Sequence, residues 1–340
     1  MPVNFLPPAP AQVLTAEGRV RCGKYAGTPN LIDWSGLALH QRRGKLWQAL
    51  HHKHWHYVAL ATEEIFCGIA IVDVGWTNTA FAYVFDRQEG KLISSYSQDG
   101  LPGLTAKLNS HPAAGAASQF QFFGKKIRFQ HLPDSEQAQA QFQLHLQCGS
   151  FVIDALLDAS QAAPSLLAVG EVQGGTVHAT VKSAGMPLTG VVKVGSRSFN
   201  LQTGTGSYDH SNGFLARETG WRWASAHAKD VGFNLQAGYF GSNENALWLD
   251  GKIIALGAAQ FDFDASQAMA DWHIHTDDGL LDLYFRPEGF RAENKNLLIA
   301  SSRYLQPIGV FSGWVRASVD SPKRQIEKMV GVTEDHFSKW

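Results

Sequence analysis

The sequence predicts a mainly β protein: two antiparallel β domains, each a curved sheet or barrel, with few short helices. Short apolar segments recur along the chain, and Gly, Asn and Asp separate them, which is typical of strands joined by turns. The 33 Gly, 20 Phe and 10 Trp favour turns and a large aromatic interior. The 340 residues correspond to about two domains.

Alternating or continuous apolar runs place the individual strands. In the first half, strands are expected at 55–62, 65–74, 80–86, 120–131, 139–148, 151–157, 176–182 and 190–196. In the second half, they are expected at 215–226, 232–238, 246–249, 252–258, 272–275, 281–286 and 304–319. Asp250-Gly251 is a strong hairpin signal. The main helix candidate is 32–50, which Asp33 would cap.

The domain division is predicted near the middle of the chain. Small residues at 110–119 and 160–164 are typical of linkers, and the composition changes near residue 170. We therefore expect an N-terminal β domain over residues 1–170 and a C-terminal β domain over residues 171–340.

Charge and composition exclude several classes of partner. With 29 basic and 30 acidic residues, the chain lacks the basic excess that nucleic acids and anionic membranes require. The longest apolar run, 65–72, is too short to span a bilayer, and the N-terminus has no signal-peptide pattern. We expect a cytoplasmic protein. The three cysteines, without a C-x-x-C pair, predict neither disulfides nor a zinc site.

Two histidine-rich segments could bind a metal. His52, His54 and His56 would share one face of a strand, and so would Asp271, His273 and His275. Neither set has a convincing further ligand nearby, and polar strand faces and turns commonly collect such residues. The prediction is therefore no metal and no other cofactor.

The densest chemistry lies at 203–245. If 215–226 is a strand, Arg217, Trp221 and Trp223 share one face, as expected for the wall of a cavity that holds an apolar ligand. The same pattern fits a core Trp pair with an Arg stacked at its edge. Asp209 lies just before this strand, in a 208–213 segment that is a turn by composition.

The chain resembles the bacterial and fungal DUF2804 family. The matching segments are G-T-P-N-L-I-D-W at 27–34, L-W-Q at 46–48, Y-D-H-S-N-G at 208–213, R-E-T-G-W-R-W-A at 217–224, G-F-N-L at 232–235, I-G-V-F-S-G at 308–313 and E-D-H-F-S-K-W at 334–340. More distantly, the family is similar to two-domain lipocalin-like proteins: carotenoid 1,2-hydratases, tocopherol cyclases and fungal Diels-Alderases. The resemblance implies two lipocalin-like domains and isoprenoid-like or polyketide ligands.

Three functional hypotheses follow. The first is a cofactor-independent lyase, hydratase or isomerase that protonates an apolar substrate through a carboxylic acid kept neutral by an apolar wall. The second is a non-catalytic lipid-binding or carrier protein, whose cavity would have no carboxylate. The third is an interaction protein without a cavity. The oligomeric state cannot be predicted.

The candidate residues divide by role. Asp209 or Glu218 would be the acid, and Arg217 or Asn234 would orient a polar end of the ligand. No catalytic residue is carried over from the distant relatives. The remaining candidates would contact the ligand: Tyr208, His210, Trp221, Trp223, Asn234 and Glu244.

Overall fold

The computed structural model describes residues 3–38, 43–132, 140–297 and 300–339. Of these described residues, 61% lie in strands and 2% in helix, which confirms the mainly β fold. The strands form two curled antiparallel sheets, one a nearly closed barrel and the other a half-barrel. No helix within the described ranges has the length and apolar character needed to cross a bilayer.

The first sheet contains the strands up to residue 214. Its central path runs in the order β5-β4-β3-β2-β15-β13-β10-β9-β8-β7-β6, while β12, β11 and β1 branch from β15, and β14 pairs with β13. Its strands are β1 (Gly23–Ala26), β2 (Lys53–Ala61), β3 (Ile65–Asp73), β4 (Asn78–Asp86), β5 (Lys91–Gly100), β6 (Ala106–Leu108), β7 (Ala117–Phe122), β8 (Lys125–His131), β9 (Gln141–Cys148), β10 (Phe151–Asp158), β11 (Leu166–Glu171), β12 (Val177–Lys182), β13 (Met186–Val194), β14 (Arg197–Asn200) and β15 (Thr205–Phe214).

The second sheet contains the remaining strands. They are arranged in the order β19-β18-β17-β16-β24-β23-β22-β21-β20. The strands are β16 (Glu218–His227), β17 (Val231–Gly238), β18 (Ala246–Leu249), β19 (Lys252–Ala255), β20 (Ala259–Asp262), β21 (Trp272–Thr276), β22 (Leu281–Leu297), β23 (Ala300–Val315) and β24 (Arg324–Lys339).

The local predictions hold best where turn chemistry is strong. Leu249 pairs with Lys252 across Asp250 and Gly251, whose φ angles are 51° and 76°. Two positive φ values are what a type I′ hairpin requires. The predicted strand 120–131 is two strands, because Phe123 (φ 45°) and Gly124 (φ 75°) turn the chain between β7 and β8.

Two local expectations are corrected. The helix predicted over 32–50 is limited to α1 (Lys45–His51), although positions 39–42 lie outside the described residues. The turn predicted at 208–213 lies inside β15 instead. Its polar residues tolerate this position because β15 is bonded to β2 on one side and to β12 on the other, so its backbone groups are paired.

Each sheet encloses an apolar core, and two further clusters join the sheets. One includes Phe66, Ile308 and Val332, with Trp223 packed against it. The other includes Leu166 of β11 and Trp248 of β18. The chain passes from the first sheet to the second between β15 and β16. The division of the chain into domains near residue 170 stays a prediction.

Candidate functional site

A cavity of about 130 Å³ lies between the two sheets. The first sheet contributes wall residues from β2, β3, β4, β12 and β15, and the second contributes residues from β16, β23, β24 and the segment after β17. The lining residues are Trp55, Tyr57, Ala70, Val72, Phe81, Lys182, Asp209, Trp221, Trp223, Tyr239, Glu244, Tyr304, Glu334 and His336. Neither sheet alone could form this cavity, because its polar groups come from both.

A buried lysine joins two carboxylates in the cavity wall. The Nζ atom of Lys182 lies 2.6 Å from Oδ2 of Asp209 and 3.0 Å from Oε2 of Glu244. Lys182 and Asp209 are direct partners across β12 and β15. The three side chains are 9%, 11% and 5% exposed, so solvent screens this ion group only weakly.

This group has two carboxylates for one cation. Burial raises the pKa of Asp209; Lys182 opposes the rise, and the Glu334 carboxylate adds to it. Burial also raises the pKa of Glu244, again against Lys182, and Asp209 adds to that rise. The two carboxylates raise the pKa of Lys182 despite its desolvation, so the ammonium group keeps its charge. A proton is therefore held by the carboxyl pair more firmly than by an exposed acid.

A third carboxylate, Glu334, faces the same cavity from β24. It accepts hydrogen bonds from Trp221 Nε1 at 2.8 Å and from Gln306 Nε2 at 3.0 Å. The Tyr83 hydroxyl in turn donates to Gln306 Oε1. Sequence reasoning did not select Glu334 as a site residue, because β24 was not predicted. The only available signal was its place in the family motif at 334–340, whose last residue, Trp340, lies outside the described residues.

Asn234 connects the indoles to the ion group. Its Oδ1 accepts a hydrogen bond from Trp223 Nε1 at 2.8 Å, and its Nδ2 donates to the Glu244 backbone oxygen at 2.8 Å. The Lys182 ammonium lies 5.8 Å from the centre of the Trp223 ring. Asn234 thus fixes both the indole and the Glu244 backbone, which makes it a positioning residue.

Aromatic rings form much of the remaining wall. Tyr57 meets Trp223 edge to face at 5.9 Å between ring centres, and Trp221 lies 4.1 Å from the His336 ring. Burial raises the pKa values of Tyr57, Tyr239 and Tyr304. The phenols are therefore neutral over the usual pH range and can donate hydrogen bonds.

A second space of about 260 Å³ adjoins the cavity. The two share Val72, Phe81, Tyr304 and His336 as wall residues. Its other walls include five charged side chains: Asp99, Arg291, Glu293, Lys295 and Lys339. Lys295 pairs with Asp99 at 2.8 Å and with Glu293 at 3.1 Å. A molecule that filled both spaces would contact the aromatic rings and the ion group at one end and these five charged side chains at the other.

Five of the predicted site residues meet in this region. Asp209, Trp221, Trp223 and Glu244 line the cavity. Asn234 is hydrogen-bonded to the Trp223 indole and to the Glu244 backbone. The alternation along β16 places Trp221 and Trp223 on one face, as predicted.

Arg217 and Glu218 lie elsewhere. Arg217 precedes the first residue of β16 and lines a surface depression with Leu50 and Trp76. Glu218 is exposed and pairs with Lys339 at 2.9 Å, an interaction that lowers the pKa of Glu218. The predicted strand begins three residues too early, which is why Arg217 was expected beside the indoles.

Tyr208 and His210 face the interior of the first sheet, on the opposite face of β15 from Asp209. The Tyr208 ring packs against Phe129 and Phe142 at 5.4 and 4.8 Å. His210 Nε2 lies 2.8 Å from His54 Nε2, and burial lowers the pKa of His210 to about 4. Neither residue lines the 130 Å³ cavity, but Tyr208 contacts a smaller pocket of about 30 Å³ beside it, which Lys182 and Asp209 also line.

The fold and the site together define a class: a two-sheet β protein with an aromatic cavity and a buried carboxylate–lysine group between the sheets. The chain belongs to the family described as "Domain of unknown function (DUF2804)", whose model matches residues 8–340. A comparison with curated protein sequences gives no match.

Two solved structures share the architecture over nearly the full chain. Kievitone hydratase from Nectria haematococca superposes with a TM-score of 0.55 at 10% identity, covering 100% of this chain and 98% of the hydratase. CghA with Sch210972 superposes with a TM-score of 0.57 at 11% identity, covering 99% of both chains. The resemblance to the two-domain lipocalin-like group is thus confirmed at the level of the fold.

Proposed function

We propose that the protein binds a small, largely apolar molecule in the cavity between its sheets and acts on it by proton transfer without a cofactor. The observation that carries this proposal is the position of the ion group: Asp209 and Glu244 share one lysine in the wall of an aromatic cavity. Such an arrangement keeps a carboxylic acid protonated beside an apolar ligand, which is the requirement for general acid catalysis.

The walls favour an unsaturated substrate with one polar end. Three Trp and three Tyr rings line the inner cavity around the ion group, and five further charged side chains line the adjoining space. The two spaces together exceed about 300 Å³, the lower end of the range for small-molecule sites. An alkene or a conjugated ring system would therefore lie inside, and its hydroxyl or carbonyl end would face the charged groups.

The reaction begins with a proton transfer from the Asp209–Glu244 pair to a substrate carbon, which breaks the π bond and leaves positive charge on the neighbouring carbon. The faces of Trp221 and Trp223 stabilise this charge, and Lys182 stabilises the carboxylate that forms. Addition of water and return of one proton to the carboxylate completes a hydration. Loss of a proton from an adjacent carbon to the same carboxylate completes an isomerisation.

The shared fold with a hydratase supports this reaction class. Kievitone hydratase is a hydratase by name, and its fold covers the whole of this chain. The carrier hypothesis expects a cavity without carboxylates, whereas Asp209, Glu244 and Glu334 all line this one. The interaction-protein hypothesis expects no cavity. The lyase, hydratase or isomerase hypothesis is therefore favoured over both.

Deuterium incorporation tests the proposal before the natural substrate is known. The protein is incubated in D₂O with a panel of isoprenoid and polyketide alkenes, and product mass and deuterium content are measured. We expect labelled products from the wild-type protein and loss of labelling in Asp209→Asn. Glu218→Gln is the matched control, because it alters an exposed carboxylate outside the cavity. Ligand binding without labelling would instead support the carrier hypothesis.

A further inference from the structure

A second cluster of ionisable side chains lies on the second sheet, away from the cavity. Three adjacent strands contribute to it: β20 supplies Asp262, β21 supplies His273 and His275, and β22 supplies Asp282. Asp262 is paired with His273 across β20 and β21, and His275 is paired with Asp282 across β21 and β22. None of the four lines the proposed ligand cavity.

Three of these residues offer ligand atoms to a common point. One atom each from Asp262, His273 and His275 lies within 4.8 Å of the other two. Oδ2 of Asp262 is 4.0 Å from Nδ1 of His273 and 3.8 Å from Nδ1 of His275. This is the only such group of three among the residues that the structure describes. Two imidazoles and one carboxylate are a common ligand set for transition metals.

The neighbouring carboxylate of Asp282 orients the His273 ring. Oδ1 of Asp282 lies 2.9 Å from Nε2 of His273. Because an ionised carboxylate only accepts, Nε2 carries the proton, and in the neutral imidazole Nδ1 then has a lone pair on the side of Asp262. A histidine that donates its other ring N–H to a carboxylate is the usual arrangement around protein-bound metals.

His275 supplies a second nitrogen without a hydrogen bond. Its Nδ1 atom is buried and has no hydrogen-bond partner among the described residues. The Asp262 side chain is 66% exposed, so an ion can enter from solvent. The two imidazoles are stacked, with ring centres 4.9 Å apart and an interplanar angle of 28°, which keeps both nitrogens on one side.

We propose that Asp262, His273 and His275 bind a divalent transition-metal ion such as Zn²⁺, with water in the remaining position and Asp282 orienting His273. The sequence alone predicts no metal here, because it places the histidines on one strand face with Asp271 and offers no convincing further ligand nearby. The third ligand comes instead from the preceding strand, which the fold places beside them. The site is independent of the proposed function, because the two share no residue.

Metal titration of the purified, chelator-treated protein tests the proposal. Zn²⁺ binding is measured by calorimetry, and Co²⁺ binding by its visible absorption, which reports the coordination geometry. We expect one ion per chain, with affinity at least about 10-fold weaker in His275→Gln and in Asp262→Asn. Asp282→Asn should weaken binding by about 10- to 100-fold, as removal of a carboxylate behind a metal-bound histidine commonly does.

The control is another histidine–carboxylate pair. Nδ1 of His145 lies 2.6 Å from Oδ1 of Asp154 on the first sheet, and within the described part of the chain neither residue belongs to a group of three potential ligands. His145→Gln should leave Zn²⁺ binding unchanged. Circular dichroism of each variant checks that the sheets are intact. Absence of stoichiometric binding to the wild-type protein, or binding that survives in His275→Gln, would overturn the proposal.

Discussion

Two lysine–carboxylate ion groups of this protein differ in their surroundings: one is buried and the other is exposed to solvent. Lys182 with Asp209 and Glu244 lies buried in the cavity wall, whereas Lys339, a wall residue of the adjoining space, pairs with the exposed Glu218. The N–O distances are similar at 2.6, 3.0 and 2.9 Å. Burial raises the pKa values of the cavity carboxyls, while Lys339 lowers the pKa of Glu218. Burial and the number of carboxylates that share one cation, rather than residue type or distance, therefore determine which carboxyl can act as an acid.

Replacing the lysine of each ion group should give the largest difference in stability between the two groups. Lys182→Met leaves two buried carboxylates without a cation, and we expect the free energy of unfolding to fall by about 3–5 kcal/mol. Part of this loss should return as the pH is lowered, because protonation removes the unpaired charges. Lys339→Met should change stability little, since exposed pairs contribute little. Urea denaturation at several pH values measures both, and equal losses in the two variants would contradict the contrast.

Replacing Asn234 should lower the free energy of unfolding by less than replacing Lys182. Asn234→Ala leaves the Trp223 indole N–H and the Glu244 backbone oxygen without their partner. We expect a loss of about 1–3 kcal/mol, the usual cost of a buried group left unsatisfied. Because Trp223 loses its fixed orientation, its fluorescence should also shift. An unchanged urea midpoint together with an unchanged emission spectrum would show that Asn234 does not position the cavity wall.

The pH dependence of stability should differ in sign between the two groups. The folded pKa values of Asp209 and Glu244 are raised above their ordinary values of 3.8 and 4.5. Their contribution is therefore complete below those values and is lost as the pH rises through the folded pKa values. The folded pKa of Glu218 is lowered, so its contribution is present above 4.5 and is lost as the pH falls.

Melting temperatures measured against pH can isolate each contribution. The profile of Glu244→Gln subtracted from that of the wild-type protein reports the cavity group, and the profile of Glu218→Gln subtracted in the same way reports the surface pair. Difference profiles that slope in the same direction would contradict the assignment of opposite pKa shifts.

The sequence predicts the fold and part of the site for physical reasons that can be named. The two-residue alternation of β16 places Trp221 and Trp223 on one face, and the Asp-Gly pair at 250–251 requires a tight hairpin. Both signals are local. Arg217 was expected on the same face as the two indoles because the sequence contains no comparable local signal for the residue at which a strand begins.

The ion group itself depends on contacts that local patterns do not encode. Lys182 is the last residue of β12 and meets Asp209 only through the pairing of β12 with β15, and it meets Glu244 only because the second sheet covers the first. Glu334 likewise reaches the cavity from the last strand of the chain. Long-range pairing of this kind requires the three-dimensional arrangement of both sheets.

Infrared spectroscopy of the carboxyl groups as a function of pH shows directly whether the cavity wall holds a proton. A protonated carboxyl group has a C=O stretch that the ionised group lacks. We expect this band to persist in the wild-type protein above the ordinary range of carboxyl pKa values, to be lost in Asp209→Asn, and to be unchanged in Glu218→Gln. Disappearance of the band from the wild-type protein within the ordinary range would contradict a proton held in the cavity wall.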